Sequence, residues 1–489
     1  MSTNESQKLS VIEKIGYSLG DLAANLIFQT LMAFLAFFYT DIYKIPPEKA
    51  SLVILIGGIV GACFNIIMGA IADRTNTRWG KFRPWVLWTA IPFGVIALLA
   101  FSTPNFSETG KVIYAFITYF LLVIVYSANN LPYSALSGVL TGDMKERNSL
   151  SSYRFVAVMV AQFIIQVLLL PLAIAVGHGD KAAGFEKVMF VFAITGIVCF
   201  LITFLTTKER IVPPVEQKTP VSQDLADLTK NKPWIIMLSL TILVFITLSM
   251  KGGMNIYYLK NYLTEASETS FLDSIGFNNF LNSLSNLFGK EAFEQFYKPG
   301  SAPYAVSSIV GACSTIAMII GIFFSKPFAD KYGKRNVFGI FLSLSALCLI
   351  TINFYPNSYV GPFVIMQTLH GFIYGITIPL LWAMIADVAD YSEWKNNRRA
   401  TAIIFSAMIF GLKFGLSVGG ALSAWLLGVF GYNADAAIQT DSAINGIRIL
   451  ATIVPGLIFI VGASLLFWYS IDKKMELQIE MDLKNKRNQ

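Results

Sequence analysis

Long apolar runs separated by polar connections are the main pattern along this chain. Each run is long enough to cross a bilayer, because about 20 apolar residues in a helix span the hydrocarbon core. The runs lie near 16–40, 51–72, 84–102, 111–138, 152–176, 187–206, 235–262, 302–326, 337–355, 359–386, 401–430 and 446–470. The pattern predicts an all-α membrane protein with twelve transmembrane helices.

A basic turn joins the second run to the third. The segment ADRTNTRWGKFRP (72–84) carries four cations between two apolar runs, and a similar segment, PFADKYGKRN (327–336), follows an apolar run in the second half. The repetition predicts a duplicated bundle. Two parallel six-helix halves with a substrate site between them form one large class of transporters.

The distribution of charge predicts the orientation of the chain. Most of the 37 lysines and arginines lie in one alternating set of connections. The positive-inside rule places this set, and with it both termini, in the cytoplasm. The polar start MSTNESQKLSVIEK does not have the pattern of a cleavable signal peptide. We therefore expect a multi-pass protein of the cytoplasmic (inner) membrane, in contact with the lipid bilayer. The net charge of +7 reflects this topology and does not indicate nucleic acid.

Composition supports insertion into a membrane and argues against soluble-enzyme chemistry. Hydrophobic residues make up 55% of the chain, charged residues 14%, and the mean hydropathy is +0.60. The four cysteines lie inside apolar runs without metal-ligand spacing, and neither His178 nor His370 has a second ligand nearby in the sequence. No GxxxxGK[ST] phosphate loop is present. We expect no enzymatic activity, no metal site, no cofactor and no ATP-driven pumping by this chain alone.

Two long connections predict the domain organisation. Residues 207–234 contain three prolines and read as a cytoplasmic linker between an N-terminal bundle (1–206) and a C-terminal bundle (235–489). Residues 263–300 are predicted to lie outside the cell, and apolar residues at helical spacing from Phe277 to Phe288 predict a helix there. That helix caps the outer rim, lies in the lipid headgroups or forms a moving lid over the substrate path.

Ionisable side chains inside the apolar runs are candidates for a substrate site, since each costs about 2.5–3.5 kcal/mol on insertion scales. Asp21 lies in the first run, with Asn25 on the same helix face. Arg154, Lys251 and Lys413 lie in the fifth, seventh and eleventh runs. The glycines around Lys413 indicate close helix packing or a cavity wall. The structural alternatives are an ion pair for Lys413, headgroup anchoring for Arg154 and packing for Lys251.

The fourth run places polar and aromatic residues in hydrocarbon, in the sequence YSANNLPYS (126–134). Tyr126 and Asn130 are four residues apart, so a hydroxyl and an amide share one helix face. Sugars present apolar ring faces and hydroxyl rims, and a site for them combines aromatic rings with hydrogen-bonding side chains. Trp382 in the tenth run is the best candidate for stacking. Polar contacts between helices are the alternative for Asn129 or Asn130.

Charged clusters at the cytoplasmic ends of the spans predict a gate. The tenth run ends in ADVADYSEWK (386–395). Such clusters can pair with other hairpins in one conformation and release them in another, although a solvated turn has the same composition. The candidate gate residues are Asp73, Arg74, Arg78, Asp387, Asp390 and Glu393.

Four motifs together resemble a known family. FYTD (38–41), RWGKFRP (78–84), NLPY (130–133) and ADVADYSEW (386–394) are similar to the glycoside–pentoside–hexuronide:cation symporters. The resemblance covers nearly the whole chain, interrupted mainly by the 263–300 insertion. It implies a major facilitator fold and sugar transport by alternating access. It also implies a sugar site at Asn25, Tyr126, Ser127, Asn130, Arg154 and Lys413.

The resemblance further implies a cation site in the second span, which this chain has altered. The positions of the family's cation-coordinating aspartates fall on Gly61 and Asn65, and neither residue can ionise. Asp21 is then the leading acid for coupling, and we expect proton-coupled or uncoupled transport rather than sodium-coupled transport. The surplus of intramembrane cations over Asp21 favours acidic glycosides such as hexuronides, to be considered alongside neutral ones.

Three functions compete. A transporter of a sugar or glycoside fits the polar and aromatic residues best. A carrier of lysolipids or other amphipaths with the same fold would require an apolar cavity with a lateral opening between helices. A non-transporting membrane sensor would require an additional signalling domain, and neither the tail (473–489) nor the linker is long enough to form one.

Overall fold

The computed structural model describes residues 8–141, 144–178, 180–210, 230–288, 298–396, 401–436 and 438–487. Within these ranges twelve helical segments are long and apolar enough to cross a membrane. The predicted all-α class and the predicted number of spans are therefore confirmed. Most of the predicted linker lies outside the described residues, as does part of the predicted insertion.

Two compact units make up the chain. Unit 1 comprises Met1–Glu216, Leu272–Ser308 and Tyr432–Ile438, and unit 2 comprises Gln217–Phe271, Ile309–Gly431 and Gln439–Gln489. Part of the insertion that the sequence assigns to the C-terminal bundle thus groups with unit 1.

The helices are numbered here in chain order. The first seven are α1 (Val11–Phe37), α2 (Pro47–Arg74), α3 (Arg83–Ala100), α4 (Glu108–Leu140), α5 (Met144–Phe163), α6 (Leu169–Gly177) and α7 (Lys181–Thr206). The others are α8 (Lys232–Asn261), α9 (Glu265–Ser274), α10 (Phe277–Phe288), α11 (Ala302–Tyr332), α12 (Lys334–Ile352), α13 (Val360–Asn396), α14 (Thr401–Val429), α15 (Asp441–Ala451), α16 (Ile453–Leu465) and α17 (Lys473–Arg487). Helix α10 confirms the predicted helix in the insertion.

In unit 1, α1 packs against α5 and α7, and α4 packs against α2 and α3. The Ser10 side chain caps α1 by accepting a hydrogen bond from the Glu13 backbone N–H at 3.2 Å. The first span ends in a π-helical turn, Phe38–Ile42, and a second π-helical turn, Ile164–Leu168, joins α5 to α6. Pro171 follows the second turn, and its missing N–H interrupts regular α-helical pairing at that point.

In unit 2, α14 packs closely against α8 along a seam of Gly411, Gly415 and Gly419. A Cβ atom on Gly415 would lie 2.6 Å from the backbone oxygen of Ile242, so only glycine permits this approach. The close packing expected around Lys413 is therefore present. Lys413 lies two residues from both Gly411 and Gly415, which places it on the opposite face of α14 from the seam.

Candidate functional site

The first polar cluster lies in unit 1, where α1 meets α5. Asp21 is 4% exposed, and its carboxylate accepts hydrogen bonds from Arg154 Nε and, at 3.5 Å, from Arg154 Nη2. A two-pronged contact between a guanidinium and a carboxylate satisfies both charges within the span. Arg154 therefore has an intramembrane partner, in place of the headgroup anchoring that the sequence leaves open.

Two tyrosines pack against this ion pair. The rings of Tyr17 and Tyr133 stack at 4.6 Å, and each hydroxyl donates to the other residue's backbone oxygen, at 2.8 and 2.6 Å. The Tyr133 hydroxyl also accepts from the Asp21 backbone N–H at 3.1 Å. The Arg154 guanidinium lies 5.6 and 5.5 Å from the two ring centroids. Neither tyrosine is a sequence-predicted site residue, although Tyr17, Asp21 and Asn25 recur every four residues on one face of α1.

Gly20 makes this arrangement possible. A Cβ atom at position 20 would lie 2.3 Å from Cε2 of Tyr133. Because Gly20 has no Cβ, the Tyr133 ring approaches α1 closely enough for its hydroxyl to reach the Asp21 N–H. Gly20 thus determines how closely the Tyr133 ring can pack against the Asp21–Arg154 ion pair.

Other predicted sugar-site residues of unit 1 extend from this cluster along α1 and α4. Asn25 is half-buried, and its Nδ2 donates to the Asp21 backbone oxygen at 2.9 Å. Tyr126 is half-buried and stacks on Phe28 of α1 with ring centroids 5.6 Å apart. Asn130 is also half-buried, one turn beyond Tyr126. The structure thus links Asn25 directly to Asp21 and gives Tyr126 an aromatic neighbour on α1.

The second span has no carboxylate at the two altered family positions. Ser127 donates to the Gly61 backbone oxygen at 3.4 Å, and Asn65 is half-buried on α2. Asn129 donates to the Thr89 hydroxyl at 2.8 Å, which is the polar contact between helices that was its structural alternative. Within the described ranges, no group of three His, Cys, Asp or Glu side chains is placed to hold a metal ion.

The second polar cluster lies in unit 2. Lys251 on α8 is half-buried, and its Nζ lies 2.8 Å from Nδ1 of His370 on α13. His370 is 1% exposed, and its ring stacks nearly parallel to Tyr374 and Phe459, with centroids 6.1 and 6.4 Å away. The sequence shows His370 without a nearby ligand because its partner is 119 positions away along the chain.

Trp382 and Lys413 are the other predicted binding residues of unit 2. Trp382 on α13 is 38% exposed, and Lys413 on α14 is half-buried. Part of each side chain is therefore accessible, as contact with a substrate requires.

Among the predicted gate residues, Asp387 has a defined ionic partner. Lys334 Nζ lies 2.7 and 2.8 Å from the two Asp387 carboxylate oxygens and 2.7 Å from Glu476 Oε1. These residues lie on α13, α12 and α17 of the same unit. Lys334 belongs to the basic turn of the second half, so the acidic cluster does contact another hairpin.

Of the remaining gate candidates, Arg74 and Arg78 are exposed, and Asp390 and Glu393 are half-buried. The side chain of Asp73 lies outside the described residues.

Glu209 holds the basic turn of unit 1, and it is not a sequence-predicted site residue. Gly80, with φ +111°, gives it room, since a Cβ atom there would lie 2.4 Å from the Glu209 carboxyl carbon. A carboxylate at the start of α3 satisfies N–H groups that the helix leaves unpaired. The carboxylate accepts from the backbone N–H groups of Lys81, Phe82 and Arg83, at 2.9, 2.7 and 2.9 Å.

Twelve apolar helices with polar clusters buried inside them define a membrane transporter of the major facilitator class. The crystal structure of a D-xylose–proton symporter matches with a TM-score of 0.61 and 12% identity, over 95% of this chain and 98% of that one. At this identity the likeness concerns the fold alone.

The chain belongs to the MFS/sugar transport protein family, whose sequence model matches residues 16–285 and 303–473. It is 35% identical to the inner membrane symporter YicJ of Escherichia coli (strain K12), over 94% of this chain and 91% of that protein. It is 30% identical to the isoprimeverose transporter of Lactiplantibacillus pentosus, over 98% of this chain and 92% of that protein. The sequence predictions of a symporter family and of a transporter rather than an enzyme are confirmed.

Proposed function

We propose that this protein carries a sugar or glycoside across the cytoplasmic membrane by alternating access. The observation that carries the proposal is the Asp21–Arg154 pair against the Tyr17–Tyr133 stack. Sugars need polar groups for their hydroxyls and ring surfaces for their apolar faces; Arg154, whose side chain is 26% exposed, offers the first, and the half-buried Tyr126 on α4 offers the second. The family and the relatives described above support the same substrate class.

The ion pair can bind a sugar without losing its own contact. A carboxylate has about four lone-pair positions and a guanidinium has five N–H donors, so the two-pronged contact leaves capacity on both partners. Sugar hydroxyls can donate to Asp21 and accept from Arg154, while Tyr126 offers a ring face. The proposed substrate-binding residues are Asp21, Asn25, Tyr126, Ser127, Asn130, Arg154, Lys251, Trp382 and Lys413.

We propose proton-coupled or uncoupled transport rather than sodium-coupled transport. Gly61 and Asn65 supply no carboxylate, whereas sodium prefers several oxygen ligands and a proton needs a titratable acceptor. Asp21, buried in the first span, is the leading acid for coupling to protons.

With both termini in the cytoplasm, the Asp387–Lys334–Glu476 network and the basic turn held by Glu209 lie at the cytoplasmic face. Ion pairs there can form in one conformation and open in another. The proposed gate residues are Asp73, Arg74, Arg78, Asp387, Asp390 and Glu393.

Uptake into proteoliposomes tests the proposal. Neutral and acidic glycosides are offered with sodium and proton gradients imposed separately, and a lysolipid serves as the competing substrate class. We expect uptake of at least one glycoside without sodium, and loss of proton-driven uptake in Asp21→Asn. Sodium-dependent accumulation would contradict the coupling proposal. Lysolipid transport with no glycoside transport would contradict the substrate class.

A further inference from the structure

We propose that Lys251 and His370 form a proton-loading site for the carboxylate of an acidic glycoside, so that the anion and a proton are carried together. The proposal rests on the proposed function and deepens it by naming the substrate class and the two residues that recognise it.

We expect the accessible part of Lys251 to face the bundle interior rather than lipid. Lys251 and Asn255 are four residues apart on α8, so they share one face, and both are half-buried. Their neighbours Met250 and Met254 are fully buried. A lysine exposed to hydrocarbon is costly, and such residues face the bundle interior or a water-filled cavity. A polar face that carries Lys251 and Asn255 is therefore a place where a dissolved anion can arrive.

The contact between Lys251 and His370 limits the charge of the pair. A hydrogen bond between Nζ and Nδ1 at 2.8 Å needs a lone pair on one of the two nitrogens. A protonated lysine and a doubly protonated histidine have only donors to offer each other. In the observed geometry the pair therefore carries at most one positive charge, and it has room for a further proton once a counter-charge is present.

No carboxylate near the pair supplies that counter-charge within the described ranges. Among the described residues, the Cys348 thiol of α12 acts on Lys251, and Lys251 acts on His370. The Tyr374 and Phe459 rings stack beside His370. Buried His370 Nε2 has no hydrogen-bond partner in the described part of the chain. The site thus contains basic nitrogens, an unused N–H position and aromatic walls, but no acid.

Charged groups on the helices that pack against α8 lie at other heights along the α8 axis than Lys251. Lys413 of α14 lies level with Ile242, about 13 Å along α8 from Lys251 at 1.5 Å per residue. Arg448 of α15 lies over the Tyr262 ring, about 16 Å away in the other direction.

Within the described ranges, α11, α15 and α16 bring no further charge to this level. Asp441 starts α15 and, because the seventh and twelfth spans run in opposite directions, lies beyond Arg448. Helix α16 has no charged residue. The first charged residue of α11 is Lys326, twelve positions after Ser314, which contacts Gly371 beside His370.

An arriving carboxylate supplies the missing negative charge. Lys251 donates an N–H to it, and a proton from water binds the lone pair of His370 Nδ1, which then also donates to the carboxylate. The contact between the two nitrogens gives way to two charge-assisted contacts with the anion. Anion and proton leave together, and no covalent bond forms or breaks in the substrate. A neutral glycoside has no carboxylate and recruits no proton.

Matched ligand pairs test this proposal in the purified full chain. Nitrophenyl glucuronide is compared with nitrophenyl glucoside, and the galacturonide with the galactoside, by calorimetry in two buffers of different ionisation enthalpy. We expect the wild type to take up more protons with the acidic member of a pair than with the neutral member. His370→Asn should bind the acidic member without this additional proton uptake.

Lysine variants separate charge from packing. Lys251→Gln should lose about 10- to 100-fold more affinity for the acidic member than for the neutral member, the range for a hydrogen bond to a charged group. Lys251→Arg should retain most of the acidic binding. Lys260→Gln, on the same helix, is the matched control and should behave as wild type. Binding of the neutral member reports that each variant is folded.

The outcomes distinguish this proposal from the proposed function. Three results would overturn the proton-loading site and leave sugar transport standing. Lys251→Gln could lose affinity equally for both ligands, His370→Asn could take up protons as the wild type does, or the wild type could bind neutral members alone. Failure of the wild type to bind or transport any glycoside would refute the proposed function and this inference with it.

Discussion

Breaking the Asp21–Arg154 pair should destabilise unit 1 by an amount that depends on which of the two residues is replaced. Removing one partner of a buried ion pair costs about 3–5 kcal/mol, because the other charge is left uncompensated. Arg154→Met leaves the Asp21 side chain, which is 6% exposed, without its ion-pair partner. Asp21→Asn leaves the Arg154 side chain, which is 26% exposed, without its partner. The guanidinium also keeps its contacts with Tyr17 and Tyr133. We therefore expect a cost of about 3 kcal/mol for Arg154→Met and about 1–2 kcal/mol for Asp21→Asn.

Thermal unfolding of the purified protein measures this difference. A loss of about 3 kcal/mol corresponds to roughly 6–12 °C for a unit of this size, about 260 residues. The double variant Asp21→Asn/Arg154→Met leaves no stranded charge and should be more stable than Arg154→Met alone. Lys49→Met is the control, since its ion pair with Glu108 is 46% and 60% exposed, and it should leave the unfolding temperature unchanged.

Two results would refute this reasoning. The first is an Asp21→Asn variant at least as unstable as Arg154→Met. The second is a double variant whose loss equals the sum of the single losses, which would show that the two side chains do not interact energetically.

Three further predictions concern other positions. Gly20→Ala should lower glycoside uptake and the unfolding temperature because its Cβ would collide with Tyr133, whereas Gly138→Ala, with nothing within 4 Å of its Cβ, should do neither. Burial raises the pKa of Glu268, on α9 outside the spans, from 4.5 to about 8. Glu268 therefore contributes most to the stability of the packed helix below about pH 4.5, and this contribution is lost as the pH rises towards about 8; the protection factors of the α9 amides, which compare each exchange rate with the intrinsic rate at the same pH, should fall over this range in the wild type but not in Glu268→Gln. Glu209→Ala removes the acceptor for three N–H groups and should cost about 1–2 kcal/mol in thermal unfolding, and a change within error would contradict its capping role.

The spans could be predicted from sequence because hydropathy is a local property. Twelve apolar runs became twelve helices, and the four-residue spacing of Asp21 and Asn25 correctly places them on one face of α1. The polar contact of Asn129 was among the alternatives, since a buried amide within a bundle needs a partner on a neighbouring helix.

Partners that are distant in sequence could not be predicted in this way. Arg154 meets Asp21 across 133 positions, and Lys251 meets His370 across 119. These contacts depend on which helices pack together and at what height, which periodicity does not specify. Tyr17 was the exception, because its spacing from Asp21 was already visible in the sequence.

The most direct test of the central claim, that the polar cluster of unit 1 binds a sugar, is equilibrium binding of one transported glycoside to the wild type and to Arg154→Lys. Lysine keeps the positive charge but cannot form the two-pronged contact or present a planar group to the two tyrosine rings. We expect Arg154→Lys to remain folded and to bind the glycoside at least about 10-fold more weakly. Unchanged affinity in the folded variant would contradict the claim.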